Sequence, residues 1–202
     1  MRTASDILPL VIERVRQSIE IQQAILEDEH LLELLNEAAS ACLRALKRGA
    51  KLIFFGNGGS AADAQHLAAE LTGRYLLERR PLPAIALTTN TSCLTAIGND
   101  YSYDQVFARQ IEALGNKADI AIGISTSGHS KNVIQALRKA KEKGLTTVGL
   151  TASTGGELRH VADYCLRIPS EETPRIQEAH ILLGHILCEI IEENFADERN
   201  IS

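Results

Sequence analysis

His66 and Glu70 stand four residues apart, so on a helix they share one face. There an imidazole and a carboxylate can move a proton between them or hold a divalent metal. Just upstream, Gly56-Asn57-Gly58-Gly59-Ser60 interrupts the apolar run from Leu52 to Phe55. A buried strand, a glycine turn and a helix N-terminus form an anion site, because unpaired backbone N–H groups and the helix dipole converge there. Ser60 is expected at the N-cap, where its hydroxyl can serve both the helix and a bound phosphate. At a rise of about 1.5 Å per residue, the cradle and the proton-handling pair fall within about 15 Å of each other. The juxtaposition points to an enzyme acting on a small phosphorylated molecule.

A second loop repeats the logic. Asp119 to Ile124 reads as a buried strand, Ser125-Thr126-Ser127-Gly128-His129-Ser130 follows it, and a helix is expected from Lys131 to Lys143. Two strand–polar loop–helix units in one domain suggest a pocket with two anion-binding walls. A dinucleotide site competes for Gly56-x-Gly58-x-x-Ala61, but it needs an acid at the end of the next strand for the ribose hydroxyls. That strand, Ala84 to Leu87, runs into Thr88-Thr89-Asn90, and no Walker lysine follows the first loop.

A last helix, from near Pro174 to about Phe195, is strongly apolar yet carries Gln177, His180 and His185. Polar groups on such a helix need partners. His66 and Glu70, with Gln177 and one or more of His180 and His185, could hold a divalent metal. A histidine on an apolar helix is more often a hydrogen-bonded core residue, and Glu70 as general base with a histidine as general acid is the metal-free alternative.

The elements that must position these groups follow from the hydrophobic pattern. Between Ser5 and about Gly49, Ile7, Leu8, Val11, Ile12, Val15, Ile19, Leu31, Leu32 and Leu35 recur at helical spacing, predicting two helices broken around Glu27-Asp28-Glu29. Such an amphipathic hairpin either adds one more layer to the sheet or packs against another subunit, the second being the favoured reading. After the first loop and its helix come a strand at Ala84 to Leu87, a short helix leading to Gly98-Asn99-Asp100-Tyr101, and a helix from Tyr103 to Leu114. Strands at Leu145 to Leu150 and Tyr164 to Ile168 flank a loop from Thr151 to Gly156 and a short helix through Ala162. Alternating strands and helices predict an α/β fold, a parallel sheet with helices on both faces, and ligands at the carboxyl ends of the strands.

Composition narrows the partners. The 202 residues are 45% hydrophobic and 23% charged, ordinary for one globular domain. A net charge of −5, 4 Phe and no Trp offer neither a basic field nor stacking platforms, which argues against nucleic acid. The 4 cysteines lie far apart; Cys42, Cys165 and Cys188 sit in apolar patterns and are expected as buried, reduced thiols, whereas Cys93 follows a polar loop and is expected to be more accessible. No membrane span and no signal-peptide pattern is evident, so a cytoplasmic protein is expected.

Five motifs resemble a specific family. They are Gly56-Asn57-Gly58-Gly59-Ser60; His66-x-x-x-Glu70-Leu71-Thr72-Gly73-Arg74-Tyr75; Gly98-Asn99-Asp100; Ile124-Ser125-Thr126-Ser127-Gly128-x-Ser130; and Arg175-Ile176-Gln177-Glu178-x-His180. In this order they are similar to the phosphoheptose isomerases, which act on sedoheptulose 7-phosphate within the sugar isomerase (SIS) superfamily. The resemblance covers nearly the whole chain. It implies one SIS domain over residues 1–202: an N-terminal hairpin (1–49), the sheet and phosphate loops (50–170) and a C-terminal helix (171–202). The implied architecture is a three-layer sandwich with a five-stranded parallel sheet, assembled as a homotetramer with sites at subunit boundaries.

By the same resemblance, Ser60, Ser125, Thr126, Ser127 and Ser130 would hold the phosphate of a seven-carbon sugar. Asn57, Gly58, Gly59, Asn99, Asp100 and Gln177 would contact its chain. Glu70 and His185 match the family's acid/base pair, and Glu70 also lies against the substrate. His66, Glu70, Gln177 and His185 match its ligands for one zinc ion per subunit. Gln177 and His185 are about 12 Å apart along one helix, so both must reach far unless they come from different subunits. Two departures stand out: Pro174 where an acidic residue is usual, and His129 where Asn is usual. A rival implication is a non-catalytic SIS tetramer that binds the bacterial replication initiator. Such relatives lack counterparts of Glu70 and His185, and this chain has both.

Overall fold

In the computed structural model, residues 4–196 of the chain are described. The expected hairpin forms as α1 (Ala4–Glu27) and α2 (Glu29–Lys47). They break at Asp28, whose carboxylate caps α2 by accepting the Leu31 N–H at 3.0 Å. The chain then alternates through β1 (Leu52–Gly56), α3 (Gly59–Thr72), β2 (Ala84–Ala86), α4 (Thr91–Asp100), α5 (Ala108–Leu114), β3 (Ile120–Ile124), α6 (Lys131–Glu142), β4 (Thr146–Ala152), β5 (Tyr164–Ile168) and α7 (Thr173–Ala196). α7 ends at Ala196, and positions 197–202 of the expected C-terminal segment lie outside the described residues.

All five strands are parallel, in the order β2-β1-β3-β4-β5. β1 and β3 are buried along their whole length, as a sheet covered on both faces requires. Successive side chains feed opposite layers. Leu52, Phe54, Ile120, Ile122 and Ile124 pack with α2, α3 and α7, whereas Ile53, Phe55 and Ala121 pack with α5 and α6. The strand order reverses between β1 and β3, so the crevice beyond their carboxyl ends is the natural ligand position in such a sheet.

Two expected boundaries shift. The helix expected over Tyr103–Leu114 splits into a 3-10 turn at Tyr103–Gln105 and α5. The break lets adjacent Val106 and Phe107 both enter the core, Phe107 against Phe55, and the Gln110 amide donates to the Val106 carbonyl at 2.8 Å. β4 runs on to Ala152, so Thr151, expected in a loop, is a buried strand residue paired with Arg167.

Helices α3 and α7 lie side by side and run the same way: Gln177 meets Gly59, Gly184 meets Leu67, and Glu192 meets Tyr75. The contact depends on Gly184, where an added Cβ would stand 2.7 Å from a Leu67 methyl. Gly184→Val is expected to cost about 1–3 kcal/mol through overpacking. Urea unfolding reads this directly, and an unchanged midpoint would show that the helices can separate freely.

The outer face of α1 is left apolar and open. Ile7, Leu8, Val11, Ile12, Val15 and Ile19 are each about half exposed or more. No helix among the described residues is long and apolar enough to cross a membrane.

Candidate active site

The two polar loops leave adjacent strands, with Gly56 paired to Ile124 at their ends. Asn57 ties them together. Its amide exchanges two hydrogen bonds with that of Asn132 in the first turn of α6, at 2.9 and 2.8 Å, and its carbonyl oxygen also accepts from the Tyr103 hydroxyl at 3.2 Å. Neither Asn132 nor Tyr103 was a site candidate from sequence. Asn132 directly follows the serine loop and Lys131, the one local hint that it belongs to the site.

Ser60 is not the N-cap. Gly58 holds that position, at φ 57°, a conformation that favours glycine, and α3 therefore begins at Gly59. Ser60 falls in the first turn, buried against the end of β1. In the second loop the Ser125 hydroxyl donates to that of Ser130 at 2.9 Å, and the Ser127 hydroxyl accepts the His129 N–H at 3.2 Å. Thr126 is half-buried and Ser127 exposed. The helices that follow the two loops open here with their N-termini, which favours an anion.

Asn99 and Asp100 end α4 and are exposed, and the Asn99 amide donates to the Asp100 carboxylate at 2.8 Å. The amide of Gln177 presses on Gly59 so closely that a Cβ there would collide with it. Gln177 thus meets the beginning of α3, apart from the later turns that His185 meets.

On those turns His66, Glu70 and His185 converge, with one ligand atom from each lying within 4.8 Å of the others. His66 Nε2 is 2.8 Å from His185 Nε2 and 3.3 Å from Glu70 Oε1. One chain suffices for this trio. In a tetrahedral shell with zinc–nitrogen bonds of about 2.0–2.1 Å, neighbouring donors stand about 3.3 Å apart. The His66–Glu70 separation matches that value and the His66–His185 contact is about half an ångström shorter, so two imidazole nitrogens and a carboxylate fit a zinc ion after a small side-chain adjustment.

His180 behaves otherwise. It is buried, and its Nε2 donates to the Thr151 carbonyl at 3.3 Å. Burial holds its pKa down at about 4 despite that bond, so the ring is neutral. It is a core histidine joining α7 to the end of β4. Asp63, one turn before His66, adds a carboxyl that sequence reading passed over. Burial raises its pKa, with His66 pulling the other way, and its Oδ2 has no hydrogen-bond partner among the described residues.

Residues 15–152 match the family model described as SIS domain. The chain is 56% identical to a phosphoheptose isomerase of Sulfurimonas denitrificans over 93% of its own length and 97% of the relative's. Its structure superposes on a phosphoheptose isomerase of Neisseria gonorrhoeae with a TM-score of 0.87 at 44% identity, covering 93% of this chain and 99% of the other. A phosphoheptose isomerase of Francisella tularensis gives 0.88 at 38% identity, covering 92% and 98%. The chain belongs to the phosphoheptose isomerase family of SIS-domain proteins.

Proposed function

We propose that this protein is an aldose–ketose isomerase that converts sedoheptulose 7-phosphate to D-glycero-D-manno-heptose 7-phosphate in heptose biosynthesis. The observation that carries the reading is the meeting of Glu70 and His185 on two parallel helices beside a pair of hydroxyl-lined loops. The names of the relatives point the same way. A non-catalytic scaffold has no need of that pair.

Ser60, Ser125, Thr126, Ser127 and Ser130 hold the phosphoryl end through hydroxyls and helix N-termini. Asn57, Gly58, Gly59, Asn99, Asp100 and Gln177 meet the sugar chain. Binding energy at the non-reacting phosphate thereby orients the carbonyl end. Glu70 takes the proton from the carbon beside the carbonyl to give an enediol, and a proton returns to the neighbouring carbon. His185, as acid, serves the oxygens between which a proton must also move. His66, Glu70 and His185 would hold zinc, and Gln177, which within one chain lies against Gly59 at the start of α3, would join them as a ligand from another subunit; zinc when bound would polarise the carbonyl and stabilise the enediolate charge.

In a single chain His66 is exposed, and Glu70 and His185 are half-buried. That exposure and the apolar stripe on α1 support a homotetramer with subunits closing over one another's sites. Light scattering should then return about four times the 22.0 kDa chain mass.

The direct test is incubation of purified protein with sedoheptulose 7-phosphate while following aldose formation; no product from a folded, zinc-loaded oligomer would refute the reading. Removing metal with a chelator should abolish turnover, and added zinc should restore it. A metal-free enzyme of undiminished rate would leave the Glu70–His185 chemistry and eliminate the zinc.

A further inference from the structure

The imidazole of His185 has two ring neighbours. His66 meets it edge-on, with centroids 5.1 Å apart and planes at 64°. Tyr75 lies against its face at 5.5 Å and 29°. A ring touched on edge and face cannot turn about its side-chain bonds without losing one contact, so this pair defines where Nε2 points.

Tyr75 lies beyond the end of α3, in an irregular segment that would ordinarily leave its ring angle loose. Here the backbone is anchored. The N–H groups of Tyr75, Leu76 and Leu77 donate to the carboxylate of Glu192 at 2.8, 2.5 and 2.7 Å. Glu192 is buried on α7, two turns past His185, and Arg79 Nε faces it at 3.3 Å from an equally buried side chain. The Arg79 guanidinium in turn donates to the carbonyls of Glu70, Leu71, Gly73 and Arg80 at 2.7 to 3.1 Å. These include carbonyls that the end of a helix leaves unpaired. One ion pair therefore closes α3 just after Glu70 and carries Tyr75 onto His185.

We infer that Tyr75 is a positioning residue for His185, its ring held against the face of the imidazole by the Glu192–Arg79 anchor. The inference rests on the proposed role of His185. The Tyr75 hydroxyl makes no hydrogen bond among the described residues, so the ring and not the oxygen is what matters. Groups that orient a metal-binding histidine are worth about 10- to 100-fold in metal affinity or activity when lost.

The test compares Tyr75→Leu with Tyr75→Phe in the full-length zinc enzyme. Leu should weaken zinc binding, measured against a chromophoric chelator, and lower kcat, each by about 10- to 100-fold. KM for sedoheptulose 7-phosphate should stay within about twofold, because the phosphate loops are untouched. The upfield ring-current shift of the His185 protons in NMR spectra should vanish. Phe should restore all of these nearly to the parent values. Wild-type zinc affinity and kcat in the Leu variant would overturn the inference. So would a Phe variant as impaired as Leu, which would transfer the role to the hydroxyl. Glu192→Gln should diminish the ring-current shift, and an unchanged shift would remove the anchor. If the parent protein fails to isomerise the sugar, the proposed function falls, while zinc affinity and the NMR shift still decide the part played by Tyr75.

Discussion

Glu70→Gln is expected to lower kcat for isomerisation by about 10²- to 10⁴-fold, the range that a positioned general base supplies. The amide keeps the shape of the side chain but neither accepts the substrate proton nor carries the charge that faces His66 across 3.3 Å. Folding should be unaffected, because Glu70 is only partly buried and the link from its backbone carbonyl to Arg79 survives the substitution. His185→Gln should fall in the same range, since it removes both the acid and one nitrogen of the trio. The measurement is kcat on sedoheptulose 7-phosphate, with zinc content and oligomer mass determined on the same sample. Full turnover by either variant would strip that residue of its assigned role.

Arg79→Leu should have the largest effect on stability. Breaking a buried pair from one side costs about 3–5 kcal/mol, because the remaining charge is left in the interior. Here that charge is Glu192, and the end of α3 would lose the guanidinium donors as well. Urea unfolding at neutral pH should show the loss, and a change below about 1 kcal/mol would mean that water or another donor replaces Arg79.

The same pair predicts a pH dependence. Burial pushes the Glu192 pKa up, but the N–H groups of Leu77, Tyr75 and Leu76 and the charge of Arg79 outweigh it and hold the carboxyl below its usual 4.5. A carboxylate with a lowered folded pKa contributes fully above the unfolded value and loses that contribution as pH falls through the folded one. Wild-type stability should therefore decline below about pH 4.5. The gap between wild type and Arg79→Leu should narrow there, as Glu192 becomes neutral in both. Glu192→Gln should flatten this acid limb, and an unaltered limb would assign the acid sensitivity to other carboxyls.

Much of the architecture is legible along the chain because its causes are local. The apolar runs of β1 and β3, the Asp28 break between α1 and α2, and the glycine- and hydroxyl-rich loops each write their geometry in consecutive residues. The serine placed at the N-cap of α3 missed for an equally local reason: Gly58 takes the positive φ, and the helix starts early. The split before α5 is different, since it follows from Val106 and Phe107 both finding room in the core, which is set by elements distant in sequence.

The candidate site divides along the same line. The order of the elements, the chemistry of both loops and the i, i+4 placement of His66 and Glu70 were determined by sequence alone, because backbone periodicity and turn chemistry act over a few residues. Tertiary structure decided that His185 joins that pair while His180 turns into the core. It also brought Asn132 and Tyr103 to Asn57, and Glu192 with Arg79 to Tyr75. Each of those outcomes depends on how separate elements pack; for α7 on α3 the partners lie 117 to 119 positions apart. The register between two helices is set by the close fit of Gly184 and Leu67 side by side, and residue spacing along one chain carries no record of it.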